Sequence, residues 1–184
     1  MTLVELLIAK HPEHVGAIGG YCVTPAVAAL EGGHFQLAQL LHCNGSSLDL
    51  CRNLGKSPLH SAAYYRDLKM VQVLLDCRVD VNAQDDFGFT LLSHASQGHF
   101  NTARAIRLLL DHGADPEVRM WRPDGGSTSL HLASKHGKIE IAHVLVEHGA
   151  SVEAQDERGR TPLDIASGAR CNEIITLLLE HRAK

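Results

Sequence analysis

The sequence predicts an all-helical protein built from stacked copies of one small unit, and two observations carry that prediction. Altered copies of the stretch Ser57–Ala63 recur along the chain, and Thr24, Ser57 and Thr90 stand 33 residues apart. Thr128 and Thr161 are again 33 residues apart, whereas the interval from Thr90 to Thr128 is longer. A fixed period of this length is typical of stacked supersecondary units, so it decides the fold class before any local pattern does.

The recurring stretch has the composition of a helix start. The hydroxyl of Ser57 can accept a hydrogen bond from an unpaired amide in the first helical turn. Pro58 suits the next position, because its missing N–H would have had no partner there. Ala62 and Ala63 add no bulk one turn later. Each copy therefore predicts a short helix that another helix can approach closely.

Apolar runs ending in glycine predict a second helix in each unit. Leu37, Leu40 and Leu41 precede Gly45, and glycine after such a run is the usual left-handed cap. Arg78 stands where the preceding unit has this glycine. A non-glycine residue in that conformation costs about 1 kcal/mol.

Composition excludes several function classes. With 45% hydrophobic residues and a net charge of −4, the chain has no field that would attract nucleic acid or an anionic membrane. Its first residues form neither a signal peptide nor a membrane span. Five cysteines without a CxxC pair predict reduced thiols. We therefore expect an intracellular protein, cytoplasmic or nuclear.

Several motifs in this register resemble ankyrin repeats. They are Ser57-Pro58-Leu59-His60-Ser61-Ala62-Ala63, Gly98-His99, Leu74-Leu75, Gly113-Ala114-Asp115 and Val81-Asn82-Ala83-Gln84-Asp85. The resemblance covers nearly the whole chain. It implies an all-α fold, an ankyrin-repeat α-solenoid in which helix–turn–helix units are joined by short β-hairpin fingers.

On this register the chain is expected to be one domain spanning residues 1–184. It would hold a partial unit at 1–20 and units at about 21–53, 54–86, 87–124, 125–157 and 158–184. Leu3, Leu6 and Leu7 lie on a helix whose partner helix is missing. We therefore expect the chain to be a piece of a longer repeat protein.

No motif indicates catalysis, a cofactor or a small-molecule substrate. The sequence contains neither a P-loop, nor His-Glu-x-x-His, nor Gly-x-Ser-x-Gly. His143 and His148 are five residues apart, about 140° around a helix, which is poor for joint ligation of a metal. Histidines that end second helices suit the helix dipole. We expect a non-enzymatic protein without a metal site or a cofactor.

The resemblance implies that a protein or peptide partner lies on the concave side, against the fingers and the ends of the first helices. Exposed aromatic residues grouped there would form an interface, although each ring could instead pack on its neighbouring finger. Cationic side chains predict that the groove becomes basic toward its C-terminal end. The expected partner-binding residues are Tyr21, Leu54, Lys56, Tyr64, Tyr65, Phe87, Phe89, Trp121, Lys135, His136, Arg158 and Arg160.

Two functions fit the sequence. One is a protein–protein interaction module, and the other is a substrate-targeting or regulatory segment of a larger enzyme or signalling protein. The repeats do not separate them, because one fold serves many functions. The stretch from Leu74 to Asn82 also resembles the pattern in which ankyrin asparagines are hydroxylated, which makes Asn82 a candidate modification site.

Overall fold

The computed structural model describes residues 8, 10–16, 24–48, 57–64, 67–98, 103–121 and 125–182, apart from the side chains of residues 61, 63 and 64. The chain divides into two compact units, Met1–Asp80 and Val81–Lys184. Each unit has its own set of packed helices.

Among its described residues, the first unit has a short 3₁₀ helix and two helix pairs, and Ile8 and Lys10 are also helical. The 3₁₀ helix spans Pro12–His14. The pairs are α1 (Pro25–Glu31) with α2 (Phe35–Cys43), and α3 (Pro58–Tyr64) with α4 (Leu68–Asp76). Helices α2 and α4 also pack together, so the second helices of adjacent repeats are in contact.

The described part of the second unit forms three helix pairs. They are α5 (Leu91–Ser96) with α6 (Ala103–Asp111), α7 (Ser129–Lys135) with α8 (Ile139–Glu147), and α9 (Pro162–Gly168) with α10 (Asn172–Arg182). First helices pack in the order α5, α7, α9, and second helices in the order α6, α8, α10. The described residues contain no β-strand. The predicted all-helical repeat fold is confirmed, and its described fingers are tight turns.

The hydroxyl residue of each motif starts a helix as expected. Thr24 Oγ1 accepts from the Val27 N–H at 3.3 Å, and Thr90 Oγ1 accepts from the Ser93 N–H at 3.2 Å. Thr161 and Asp164 bond reciprocally, in a capping box that satisfies two otherwise unpaired donors. The sequence pattern therefore places the helix starts correctly.

The core lies where the first and second helices meet. In the first unit Leu30, Leu59 and Leu74 are among the fully buried side chains. In the second unit the larger fully buried side chains are Leu91, Leu92, Ile106, Leu109, Met120, Leu130 and Leu132. Ala62 and its counterparts are also buried, as expected of positions that allow close approach of a neighbouring helix.

Two arginines occupy the left-handed backbone region at helix ends. Arg78 and Arg170 both have φ near 57°, whereas the equivalent positions at Gly113 and Gly137 carry glycine. Left-handed geometry costs a residue with a Cβ roughly 1–2 kcal/mol. The expectation for Arg78 is confirmed, and both arginines carry backbone strain.

Candidate protein-binding surface

The finger at Asp85–Phe89 points one phenylalanine ring outward and the other inward. The Asp85 N–H donates to the Phe89 carbonyl oxygen at 2.9 Å. Asp85 Oδ1 accepts from the N–H groups of Phe87 at 3.0 Å and Phe89 at 2.9 Å. With the turn closed in this way, Phe87 is 48% exposed and Phe89 only 7% exposed.

The expected exposure of Phe89 is wrong. Its ring belongs to a buried cluster with Met120 and Leu132. It also stacks on the His94 imidazole, with ring centroids 4.8 Å apart. Burial removes the apolar ring from water, so Phe89 stabilises the finger and has little surface to offer a partner.

The finger at Asp156–Arg160 repeats the hydrogen bonds of the first. The Asp156 N–H donates to the Arg160 carbonyl oxygen at 3.0 Å. Asp156 Oδ1 accepts from the N–H groups of Arg158 and Arg160, each at 2.9 Å. The Arg160 guanidinium then donates to Asp156 Oδ2 at 2.8 Å. Arg158 and Arg160 thus occupy the positions of Phe87 and Phe89.

Both turn carboxylates are held ionised. Burial alone would raise the pKa of Asp85, but bonds from the His94 ring and from the backbone of Phe89 and Phe87 lower it below its usual value. At Asp156 burial is likewise outweighed by the backbone and side chain of Arg160, so its pKa is also lowered. These carboxylates shape the fingers, which leaves them poorly suited to proton transfer.

Trp121 extends from the finger that lies between these two. Its backbone N–H donates to the Phe87 carbonyl oxygen at 3.2 Å, while the adjacent Met120 N–H donates to Ser127. The Trp121 side chain is 59% exposed. Because the two backbones are bonded, Phe87 and Trp121 are exposed aromatic residues on adjacent fingers.

A groove of about 690 Å³ runs beside Trp121. Buried His131 and Leu132 line it, and Lys135 lies at the end of α7. The remaining lining residues include Glu157, Arg158, Arg160, Asp164 and Ile165. Three cationic side chains and two carboxylates line this groove, and its becoming basic toward the C-terminal end stays a prediction.

The structure brings part of the expected partner-binding set together. Trp121, Lys135, Arg158 and Arg160 line this one groove, and Phe87 adjoins it through Trp121. His136 is exposed directly after α7. Tyr21, Leu54, Lys56 and Tyr65 lie outside the described residues, as does the side chain of Tyr64.

Glu157, Asp164 and Ile165 line the groove without having been expected there. Asp164 occupies the motif position that carries histidine in His60 and His131, and its carboxylate accepts from the Thr161 N–H and hydroxyl. Backbone hydrogen bonding from Thr161 holds the pKa of Asp164 below its usual value. In the sequence, the helical spacing of Asp164, Ile165 and Gly168 was the signal that could have predicted that they line the groove together.

Several histidines bond backbone carbonyl groups, as the sequence predicts for structural residues. At the ends of second helices, Nδ1 of His112, His148 and His181 donates to the carbonyl oxygen four residues earlier, at 2.8–2.9 Å. His131 joins two repeats: its Nδ1 bonds Thr128, and its Nε2 donates to the Arg160 carbonyl oxygen at 3.0 Å. The His131 ring fixes the backbone beside the groove, whereas the other three bond the last turns of second helices.

Asn82 also connects neighbouring fingers. Its amide nitrogen donates to the Gly113 carbonyl oxygen at 3.3 Å, and its amide oxygen accepts from the Asp115 N–H at 2.8 Å. Both ends of the amide therefore have a structural role. Hydroxylation of Asn82 stays a prediction.

Comparison with known proteins places the fold in a family. The sequence profile described as "Ankyrin repeats (3 copies)" matches residues 2–85, 26–120 and 121–184. The chain belongs to the ankyrin-repeat family. Ankyrin repeats are protein–protein interaction modules, so the surface described above is a candidate binding site.

The array is similar to segments of longer ankyrin proteins. Human Ankyrin repeat and SOCS box protein 3 is 35% identical over 181 residues, which cover 79% of this chain and 34% of that protein. Tyrosine-protein kinase Shark of Drosophila melanogaster is 31% identical over 144 residues, covering 78% of this chain and 15% of the kinase.

A third relative is mostly covered by the alignment. The Probable 26S proteasome regulatory subunit p28 of Saccharomyces cerevisiae is 29% identical over 154 residues, which cover 82% of this chain and 66% of p28.

In the part of the ankyrin chain that the structure describes, no helix has the length and apolar character needed to cross a membrane.

Proposed function

We propose that this chain is a non-enzymatic protein-binding module that holds a protein or peptide partner on its finger surface, defined here by Phe87, Trp121, Lys135, Arg158 and Arg160. The carrying observation is the exposed pair Phe87 and Trp121 on adjacent fingers beside the groove. The resemblance to ankyrin repeats implies that such fingers face the concave side, which supports the choice of this surface.

The residue types on this surface support a protein partner. Aromatic residues and arginine are enriched in protein interfaces and carry much of their binding energy. Among the described residues, the exposed large hydrophobic side chains are Phe87, Trp121 and Leu179. The groove carries charges of both signs, which favours a polar segment with an aromatic or aliphatic anchor over a uniformly charged ligand.

Non-enzymatic function is supported by the roles of three ionisable groups in or beside the groove. Asp156 and Asp164 are bonded within turns, and the two ring nitrogens of His131 bond Thr128 and Arg160. A catalytic acid or base needs an aligned reacting proton within reach. All three groups already form hydrogen bonds that hold the local backbone in place.

The test is partner capture by the intact chain and matched variants. Phe87→Ala and Trp121→Ala should each weaken capture of a specific partner, with the better of them losing about 2 kcal/mol, or roughly thirtyfold in affinity. Leu179→Ala is the control, because Leu179 is 49% exposed but lies in α10. Equal capture by wild type and the Phe87→Ala, Trp121→Ala double variant would refute the finger surface.

A second candidate function is a targeting or regulatory segment of a larger enzyme or signalling protein. It is favoured by the comparisons, since a tyrosine kinase and a SOCS box protein contain similar segments covering 15% and 34% of their lengths. The coding sequence flanking this array would decide it, because a catalytic domain there would support this candidate. A complete transcript without such a domain would contradict it.

A reducing, intracellular setting also fits the proposal. Among the described residues Cys43, Cys77 and Cys171 are free thiols. Burial is the main cause that raises the pKa of the Cys77 thiol, which favours its protonated form. Free, protonated thiols are compatible with the cytoplasm or the nucleus.

A further inference from the structure

The 3₁₀ helix of the first unit brings two histidines and a glutamate together on a short turn. The His14 N–H donates to the His11 carbonyl oxygen at 3.1 Å, and the Val15 N–H donates to the Pro12 carbonyl oxygen at 3.2 Å. Side chains three residues apart eclipse in a 3₁₀ helix, so His11 and His14 share one side. Buried Val15 anchors the turn, while His11, Glu13 and His14 remain exposed.

One carboxylate oxygen lies between the two imidazole rings. Glu13 Oε1 is 3.2 Å from His11 Nδ1 and 3.6 Å from His14 Nε2. One potential ligand atom from each of the three residues lies within 4.8 Å of the other two. The ring centroids are 5.6 Å apart, with an angle of 34° between the rings. Three potential ligand atoms therefore converge without a contribution from a distant segment.

The two separations from Glu13 Oε1 are close to those between neighbouring ligands of a tetrahedral metal ion. Zinc bonds to histidine nitrogen and carboxylate oxygen of about 2.0–2.2 Å place neighbouring ligand atoms roughly 3.3–3.5 Å apart. The separations of 3.2 Å and 3.6 Å lie close to that range. Two imidazoles with one carboxylate form a ligand set that zinc uses in proteins, and the exposed side of the turn leaves room for water.

We infer that His11, Glu13 and His14 form a binding site for one divalent zinc ion. The site differs from the helix-end histidines, whose Nδ1 atoms bond backbone carbonyl oxygens. Binding requires unprotonated nitrogen at His11 Nδ1 and His14 Nε2. All three ligands belong to the first compact unit, whereas the residues of the protein-binding surface belong to the second.

A simpler arrangement gives the same contacts without zinc. A protonated imidazole nitrogen can donate directly to Glu13, and the pKa of Glu13 is lowered chiefly by backbone hydrogen bonding and then by His11. His143 and Glu147 show this simpler arrangement, with His143 Nδ1 also 3.2 Å from the carboxylate. That pair is therefore a matched control for a histidine–carboxylate contact.

The test is a calorimetric zinc titration of the full chain after alkylation of its thiols, which removes competition by cysteine. We expect one saturable site that weakens by about tenfold or more in His11→Ala and in His14→Ala, because each loses a direct ligand. Glu13→Gln should also weaken zinc binding, whereas His143→Ala should leave the zinc affinity unchanged.

Ring-proton resonances provide a second measurement that identifies the ligands. Substoichiometric zinc should shift the imidazole signals of His11 and His14 before those of other histidines. Unchanged zinc affinity in the His11→Ala, His14→Ala double variant would overturn the site, as would earlier shifts at His143. Circular dichroism of each variant checks that the helices remain, and exposed side chains make folding failure an unexpected result.

Discussion

The indole of Trp121 lies directly over Gly88. A Cβ built at Gly88 would be 2.8 Å from the Trp121 backbone nitrogen and 3.0 Å from Cγ of its indole ring. Gly88 also has a φ of 82°, in the left-handed region that favours glycine. The position therefore combines a conformational and a steric requirement, and the exposed tryptophan depends on both.

Gly88→Ala should destabilise the protein more than Gly113→Ala. Gly113 has almost the same φ, 85°, but a Cβ there would meet nothing within 4 Å. The Gly113 substitution should cost about 1 kcal/mol from backbone strain alone. The Gly88 substitution should cost at least about 1 kcal/mol more, because it forces Trp121 to move. Urea unfolding of the two variants gives the comparison, and equal losses would contradict the steric argument.

Phe89→Ala should behave unlike Phe87→Ala, although the two residues are nearly adjacent. Phe89 is buried with Met120 and Leu132, so its truncation should cost about 3–5 kcal/mol of unfolding free energy. Truncation of the exposed Phe87 should cost much less unfolding free energy. Its effect should appear in partner capture instead. Thermal unfolding separates the two effects. Similar losses of stability would mean that Phe87 is also a packing residue.

The two phenylalanines show how far the sequence could predict the site. The repeat period located the helices and both rings on one finger. It could not determine which ring faces inward, because that depends on the three-dimensional turn that Asp85 closes. Likewise, Asp164 appeared in the repeated motif, but only the packing of α9 beside α7 shows that it lines the groove.

Local helix chemistry was more predictable than side-chain convergence. The strained cap at Arg78 follows from its register, since the same position in the preceding repeat is glycine. The convergence of His11 and His14 does not follow from the 33-residue pattern, because a 3₁₀ helix brings them together outside that pattern. Sequence period predicts repeated positions well and unique turns poorly.

Arg170→Gly should stabilise the second unit. Arg170 has a φ of 57°, and glycine removes the steric cost of that conformation. The expected gain is about 0.5–1 kcal/mol, reduced from the full strain because glycine also gives the unfolded chain more freedom. Ala169→Gly is the adjacent control, since Ala169 has an ordinary helical φ of −82° and should lose stability. A loss of stability in both variants would show that Arg170 makes a compensating contact.

The stability of the second unit should fall on mild acidification because of His131. Burial lowers the pKa of this imidazole below its ordinary value of 6.5, although the Arg160 carbonyl and Asp156 oppose the shift. The unfolded chain therefore takes up this proton at a higher pH than the folded chain. The contribution of His131 is present above pH 6.5 and is lost as the pH falls toward its folded-state pKa.

His131→Gln should flatten the pH dependence of unfolding as the pH falls below about 6.5. Asp85, Asp156 and Asp164 act in a lower range, because each has its pKa lowered from an ordinary value of 3.8. Urea unfolding at several pH values measures the slope separately from any constant loss caused by the substitution. Parallel slopes for wild type and His131→Gln would contradict the assignment. A flatter slope would show that burying a neutral ring between Thr128 and Arg160 couples the stability of this groove to pH.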